Sequence, residues 1–236
     1  MGYRKEGFFP GGVYHVFNRG VEKRNIFRDD RDRRRFRALL VYCFLRDQAP
    51  SYSTALRLRR QGNPAKVPIS LSKSGEDLVD RIAYSLMPNH FHLQLRENVE
   101  GGISKSMQRL CNSYARYFNT RHGRTGPLFS GPFRAVRIPT TELLLHVSRY
   151  IHLNPYVAAL TTDPLSSPWS SLGEYLGREQ QPPICHTDII QSIMSTEEYR
   201  RFTLNHADYA RSRATIEHLT LEPIESTESE PQTPGV

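Results

Sequence analysis

No stretch of this 236-residue chain approaches the run of about 20 apolar residues that a membrane-spanning helix requires. The opening Met1-Gly2-Tyr3-Arg4-Lys5-Glu6-Gly7 is not followed by the apolar core of a secretion signal. A cytoplasmic, nucleoid-associated protein with no membrane partner is therefore expected. Cysteine is scarce: Cys43, Cys111 and Cys185 are odd in number, widely spaced and without a CxxC pair. That argues against a disulfide framework and a cysteine zinc cluster, and Cys43 and Cys111 read as core thiols. No GxxxxGKS/T phosphate loop is present, so chemistry fuelled by a nucleoside triphosphate is not expected.

What is abundant is positive charge. Lys and Arg number 32 against 24 Asp and Glu, and the last basic residue is Arg213. Five glutamates follow it (Glu217, Glu222, Glu225, Glu228 and Glu230), so the part up to Arg213 holds 32 basic against 19 acidic groups, a surplus of +13. A body so basic, and so rich in arginine, suits a polyanionic partner such as nucleic acid. The 38% hydrophobic and 10% aromatic content is enough for one real core.

Along the chain, Gly12 to Gly20 reads as a first strand. Phe36, Leu39, Leu40, Cys43 and Phe44 recur at helical spacing after an N-cap at Asp29 or Asp30, which predicts a helix over 31–45. Its arginines (Arg31, Arg33, Arg34, Arg35, Arg37) form the opposite face, as a merely solvated face also would. Residues 46–75 carry Pro50, Gly62, Pro64 and Pro68 among basic residues and read as an insertion loop able to touch a phosphate backbone.

A second strand over Leu78–Leu86 turns at Pro88-Asn89 into His90-Phe91-His92-Leu93-Gln94-Leu95. On a strand, the period of two places His90 and His92 on one face while Phe91, Leu93 and Leu95 enter a core. Two such imidazoles make half of a metal site, although a polar strand surface can carry the same pair. Ile103, Met107, Leu110, Tyr114 and Phe118 predict a helix that ends near Gly123. The following loop, from Thr120 to Arg134, interleaves basic residues with aromatics. Arg121, Arg124, Phe129 and Arg134, with Arg19, Lys23 and Arg24, are the candidate DNA-binding residues.

A third helix opens at Thr140 or Thr141 and is expected to stop at Pro155. Tyr150 and Asn154 lie four apart on it and share a face, a phenol one turn from a carboxamide oxygen. A hydroxyl nucleophile beside a hard oxygen ligand is what two histidines and a phosphodiester require. Of the other tyrosines, Tyr175 with Glu179 offers a comparable pair, beside Gly173 and Gly177.

Met87-Pro88-Asn89-His90-Phe91-His92 together with Arg149-Tyr150-Ile151-His152-Leu153-Asn154-Pro155 resembles the HUH-class tyrosine transposases. The REP-associated branch and its insertion-sequence relatives are the most similar, over residues 14–171. The resemblance implies an α+β fold, an antiparallel ferredoxin-like or RRM-like sheet flanked by helices. It implies His90, His92 and Asn154 as ligands of Mg²⁺ or Mn²⁺, and Tyr150 as nucleophile. It also implies cleavage and rejoining of hairpin-bearing single-stranded DNA through a 5′-phosphotyrosine, by a monomer or homodimer with no small-molecule substrate. The expected organisation is a transposase domain over 1–171, a helical extension over 172–220 and a disordered acidic tail over 221–236. Two other readings stay open: a histidine-triad nucleotide hydrolase, in which Gln94 stands where a third histidine belongs, and a non-cleaving nucleic-acid binder of the same fold.

Overall fold

Four strands form one antiparallel sheet in the order β2-β3-β1-β4, with β1 at Val13–Arg19, β2 at Val79–Met87, β3 at His90–Glu97 and β4 at Arg134–Ile138. The computed structural model describes residues 7–46, 51–62, 73–178, 183–205 and 207. Helix α1 (Asp30–Tyr42) lies between β1 and β2, and α3 (Gly102–Arg121) between β3 and β4. This βαββαβ order with β1 and β3 central is the ferredoxin-like topology, so the α+β class expected from the sequence is found.

Side chains alternate across β1 and β3, and each face of the sheet buries its own set. On one face Tyr14, Val16, Phe91, Leu93 and Leu95 meet Phe36, Leu39 and Leu40 of α1 and Met107, Leu110 and Tyr114 of α3. The other face packs Ala83, with Ile82 beside the bulge in β2 and Ile138 of β4, against Leu144, Val147 and Ile151 of α4 (Thr141–Val157). Three short helices, α5 (Leu172–Tyr175), α6 (Asp188–Gln191) and α7 (Thr196–Leu204), extend that second core through Leu172, Tyr175, Ile190 and Tyr199. Between these helices the described part of 172–220 is turn and loop, and the tail expected over 221–236 lies outside the described residues.

Several boundaries differ from the sequence reading. Helix α1 ends at Tyr42, where Cys43 caps it, rather than at Leu45. The expected loop over 46–75 contains a helix, α2 (Tyr52–Arg60), capped by Ser51, whose side chain accepts from the Thr54 N–H. Strand β4 was not anticipated, because it is a five-residue edge strand with three exposed residues and therefore has little apolar pattern. Pro155 does not stop α4 but lies inside it. It removes its own N–H bond, and the helix continues to Val157, where Ala158 N–H donates to Asn154 O at 3.0 Å and Leu160 N–H closes the end on Pro155 O at 2.9 Å.

Helix α4 is braced by a buried polar network. His152 bonds Tyr199 Oη through Nδ1 and Ser171 Oγ through Nε2, each at 2.8 Å, and Tyr199 donates onward to Ser148 Oγ at 2.8 Å. Arg149 donates to Phe202 O at 3.3 Å and lies over the Phe202 ring. Gln94 Nε2 of β3 donates to Leu144 O at 2.9 Å, which ties α4 to the sheet. Tyr199→Phe strands the buried His152 Nδ1 and removes the donor to Ser148 Oγ, whose own hydroxyl keeps its bond to Leu145 O. We expect a loss of about 1–3 kcal/mol in urea denaturation, whereas a change below about 0.5 kcal/mol would show that the network does not brace the helix.

Candidate functional site

The turn between β2 and β3 fixes the first histidine. Gly20 N–H donates to Asn89 O at 2.8 Å, and the N–H groups of Ile26 and Phe27 both donate to Pro88 O. Gly20 is required there, because a Cβ would stand 2.2 Å from Arg24 O. Asn89 Nδ2 donates to Lys23 O at 3.2 Å, which turns Asn89 Oδ1 toward His90 Nδ1 at 2.6 Å. Since Oδ1 can only accept, Nδ1 of His90 carries the proton and Nε2 keeps its lone pair.

The second histidine has a partner that sequence reasoning missed. Residues 13, 15, 17 and 19 of β1 face the same side of the sheet as 90, 92 and 94 of β3, and His15 Nε2 meets His92 Nδ1 at 2.9 Å. Both rings are desolvated, His15 at 0% and His92 at 1% exposure. His15 Nδ1 has no hydrogen-bond partner. The signal was present in Tyr14-His15-Val16: once β1 and β3 pair, a histidine at an odd position of β1 falls on the His92 face.

Burial sets the charge state of these imidazoles. It lowers His90 to about 4, with the Arg19 charge adding to the effect. His92 is pushed well below the usual range by burial first, then by His15, His90 and Arg19. Burial holds His15 at about 3. All are neutral near pH 7, the state in which imidazole can ligate without first releasing a proton.

Helix α4 crosses this face and brings Tyr150 to it. The Tyr150 ring stands edge-on to His92 at 5.6 Å between centroids and to His15 at 6.0 Å, while His90 and His92 are 5.0 Å apart. Burial raises the Tyr150 phenol above its usual value of 10, and the Asn154 side chain acts in the opposite direction. Asn154 Nδ2 also donates to Tyr150 O at 3.4 Å, so its half-buried carboxamide stays beside the tyrosine even though Pro155 follows. Tyr175, the alternative, is fully buried with its hydroxyl donating to Ile82 O at 2.6 Å and has no route to a substrate.

The candidate DNA contacts divide. Arg19, Lys23 and Arg134 line a cleft of about 430 Å³ with Phe17, Asn18 and the Ser130-Gly131-Pro132 loop. Arg19 stands opposite His90 in the β1–β3 register, with its Nε buried and unpaired. The others are engaged elsewhere. Arg24 pairs with Glu22 at 2.9 Å. Arg121 forms an ion pair with Asp29 at 2.6 Å and a second with Asp32. Arg124 bonds Asn119 Oδ1 at 2.8 Å and lies over Phe118. Phe129, read as an exposed loop aromatic, is buried edge-on against Phe91 at 6.0 Å, because the loop folds back to bridge Gly20.

No family model and no curated protein matches this chain. Among solved structures it is similar to a REP-associated tyrosine transposase bound to a REP hairpin, at TM-score 0.44 and 14% identity over 77% of this chain and 89% of that one. It is also similar to tRNA(His) guanylyltransferase from Saccharomyces cerevisiae, at TM-score 0.35 and 8% identity over 94% and 85% of the respective chains. Among the described residues, no helix is long and apolar enough to cross a membrane.

The neutral imidazoles make stability depend on pH. Unfolded histidines titrate near 6.5, whereas His90 is held at about 4 and His15 and His152 at about 3. From pH 6.5 down to about 4 the unfolded state therefore binds more protons, and stability falls as pH falls, by up to about 1.4 kcal/mol per pH unit for each group. Urea denaturation of the ion-free protein should show this loss between pH about 7 and about 4.5. A flat profile would contradict buried neutral imidazoles.

Proposed function

We propose that this chain cleaves and rejoins hairpin-bearing single-stranded DNA by transesterification at Tyr150, and so acts as a metal-dependent DNA transposase. The observation that carries this reading is the Tyr150 ring set 5.6 Å from His92, at the edge of a His90–His92 pair that burial keeps neutral.

The donor set fits a divalent ion. His90 and His92 each use Nδ1 within the protein, toward Asn89 and His15. Their Nε2 atoms and Asn154 Oδ1 would hold Mg²⁺ or Mn²⁺, which would polarise the phosphodiester and offset its negative charge. No group of three or more His, Cys, Asp or Glu among the described residues is placed to hold an ion, so phosphate oxygens and water would complete the coordination.

The rest falls to side chains of this chain. Arg19, Lys23 and Arg134 seat the strand in the cleft beside His90 through its phosphates. Tyr150 Oη gives up its proton and attacks phosphorus in line. The phosphorus–O3′ bond breaks, the leaving 3′ oxygen takes a proton, and the 5′ phosphate remains on the tyrosine. One phosphodiester replaces another, so a 3′-hydroxyl can reverse the step without an energy source. Because burial keeps the phenol above its usual value, the free enzyme holds Tyr150 protonated, and deprotonation belongs to the DNA-bound state. His15 orients His92: for His92 Nε2 to carry a lone pair, its Nδ1–H must donate to His15 Nε2.

Two measurements test this. His90→Ala should abolish Mn²⁺-dependent cleavage of a labelled hairpin oligonucleotide while leaving most of its binding, and undiminished cleavage would end the proposal. His15→Phe, which cannot accept from His92, should weaken Mn²⁺ binding about 10–100-fold by calorimetry, whereas His15→Gln should recover most of it. Equal affinities in the two variants would remove His15 from the orienting role.

A further inference from the structure

Arg19 ends β1 directly opposite His90 in the β1–β3 register, on the face that carries the histidines. Its backbone is pinned on both sides: Arg19 N–H donates to Asn18 Oδ1 at 2.8 Å, and Arg19 O accepts from the Ser130 N–H at 2.9 Å and from Ser130 Oγ at 3.0 Å. The side chain is half-buried, and its Nε has no hydrogen-bond partner. Lys23 and Arg134, which line the same cleft, are exposed. Of the three cations, Arg19 alone is partly withdrawn from water, where contact with another charge is stronger.

The charge balance around it is one-sided. His90, His92 and Asn154 are all uncharged donors, and the one carboxylate that lines the cleft, Glu22, is paired with Arg24 at 2.9 Å. The Arg19 charge bears on both His90 and His92 and lowers both. A divalent ion on those imidazoles would therefore stand beside a guanidinium with no negative group between them, and the two cations would repel. A phosphodiester removes that conflict, because its non-bridging oxygens can take the ion and the guanidinium together. The layout suits an occupant that brings its own negative charge.

We propose that Arg19 is a catalytic residue, whose guanidinium donates to a non-bridging oxygen of the phosphodiester that Tyr150 attacks. This rests on the transesterification reading and separates Arg19 from Lys23 and Arg134, which hold neighbouring phosphates. Bonds to phosphorus form and break as described above, and Arg19 neither gains nor loses a proton. Its part is to hold the negative charge that builds on the phosphate oxygens while the bond to O3′ breaks, from a position set before the strand arrives. The same placement makes ion and strand interdependent. Without DNA the guanidinium opposes the ion; with DNA both cations share one anion, so each ligand strengthens the binding of the other.

The test uses the full chain, a labelled hairpin oligonucleotide and Mn²⁺. Its readouts are the single-turnover cleavage rate at saturating protein and ion, oligonucleotide affinity by anisotropy without the ion, and Mn²⁺ affinity of the DNA-free protein by calorimetry. Arg19→Gln should slow cleavage at saturation about 10²–10³-fold, while Mn²⁺ binding to the DNA-free protein tightens about threefold or more. Arg19→Lys keeps the charge but not the planar fork, and should return Mn²⁺ affinity to the wild-type value with only part of the rate. A wild-type saturating rate in Arg19→Gln, with only oligonucleotide affinity lost, makes Arg19 an ordinary phosphate contact and overturns the proposal while transesterification stands. A Mn²⁺ affinity that falls with the rate, or does not change, overturns it as well. If the wild-type chain itself does not cleave, both readings fall together.

Discussion

Burial of the central strand pair on both of its faces is the constraint on which the rest of this structure depends. β1 and β3 carry His15, His90, His92 and Gln94 on one face and Tyr14, Val16, Phe91, Leu93 and Leu95 on the other, and helices cover both. Desolvation keeps the imidazoles uncharged, and it is also what makes their partners necessary. Asn89 takes the Nδ1–H of His90, and His15 occupies Nδ1 of His92. An exposed pair at the same spacing would titrate near pH 6.5 and rotate freely. Here the fold presets the ring direction of both imidazoles and the tautomer of His90.

The tyrosine helix divides its labour by face. Arg149 and His152 point away from the sheet's histidines and lock α4 to α7 and to Ser171, while Tyr150 and Asn154 turn toward them. This explains why a helix with a proline inside its last turn keeps its position. Its hold comes from Gln94, Ser171, Tyr199 and Phe202 rather than from the helix's own last turn. The C-terminal helices, which carry no recognisable motif, thus serve the site at one remove. Gln94, which would stand for a third histidine in a histidine-triad hydrolase, spends its amide on the Leu144 carbonyl instead.

Much of this was legible in the residues. The helical periods around Phe36 and Leu110, the turn at Pro88-Asn89 and the shared face of Tyr150 and Asn154 all depend on local spacing, which survives into the structure. What was not legible depends on contacts between distant segments. His15 became significant only through its register with β3. β1 shows no clean polar and apolar alternation because both faces are covered, so its phase could not be read. Phe129 looked exposed among glycines and prolines, yet the loop returns it to the core. The arginines of α1 looked like one solvated face, but Arg37 is buried against Tyr84 and Glu174, Arg35 is stacked between tyrosines, and Arg31 is exposed.

The central claim is that Tyr150 forms a covalent bond to a DNA 5′ phosphate. Its most direct measurement is peptide mass spectrometry of the full chain after incubation with hairpin-bearing single-stranded DNA and Mn²⁺, followed by nuclease trimming. The account predicts a nucleotide adduct on the peptide containing Tyr150 and none in Tyr150→Phe. An adduct on another tyrosine, or a cleaved strand with no adduct on any residue, would contradict it.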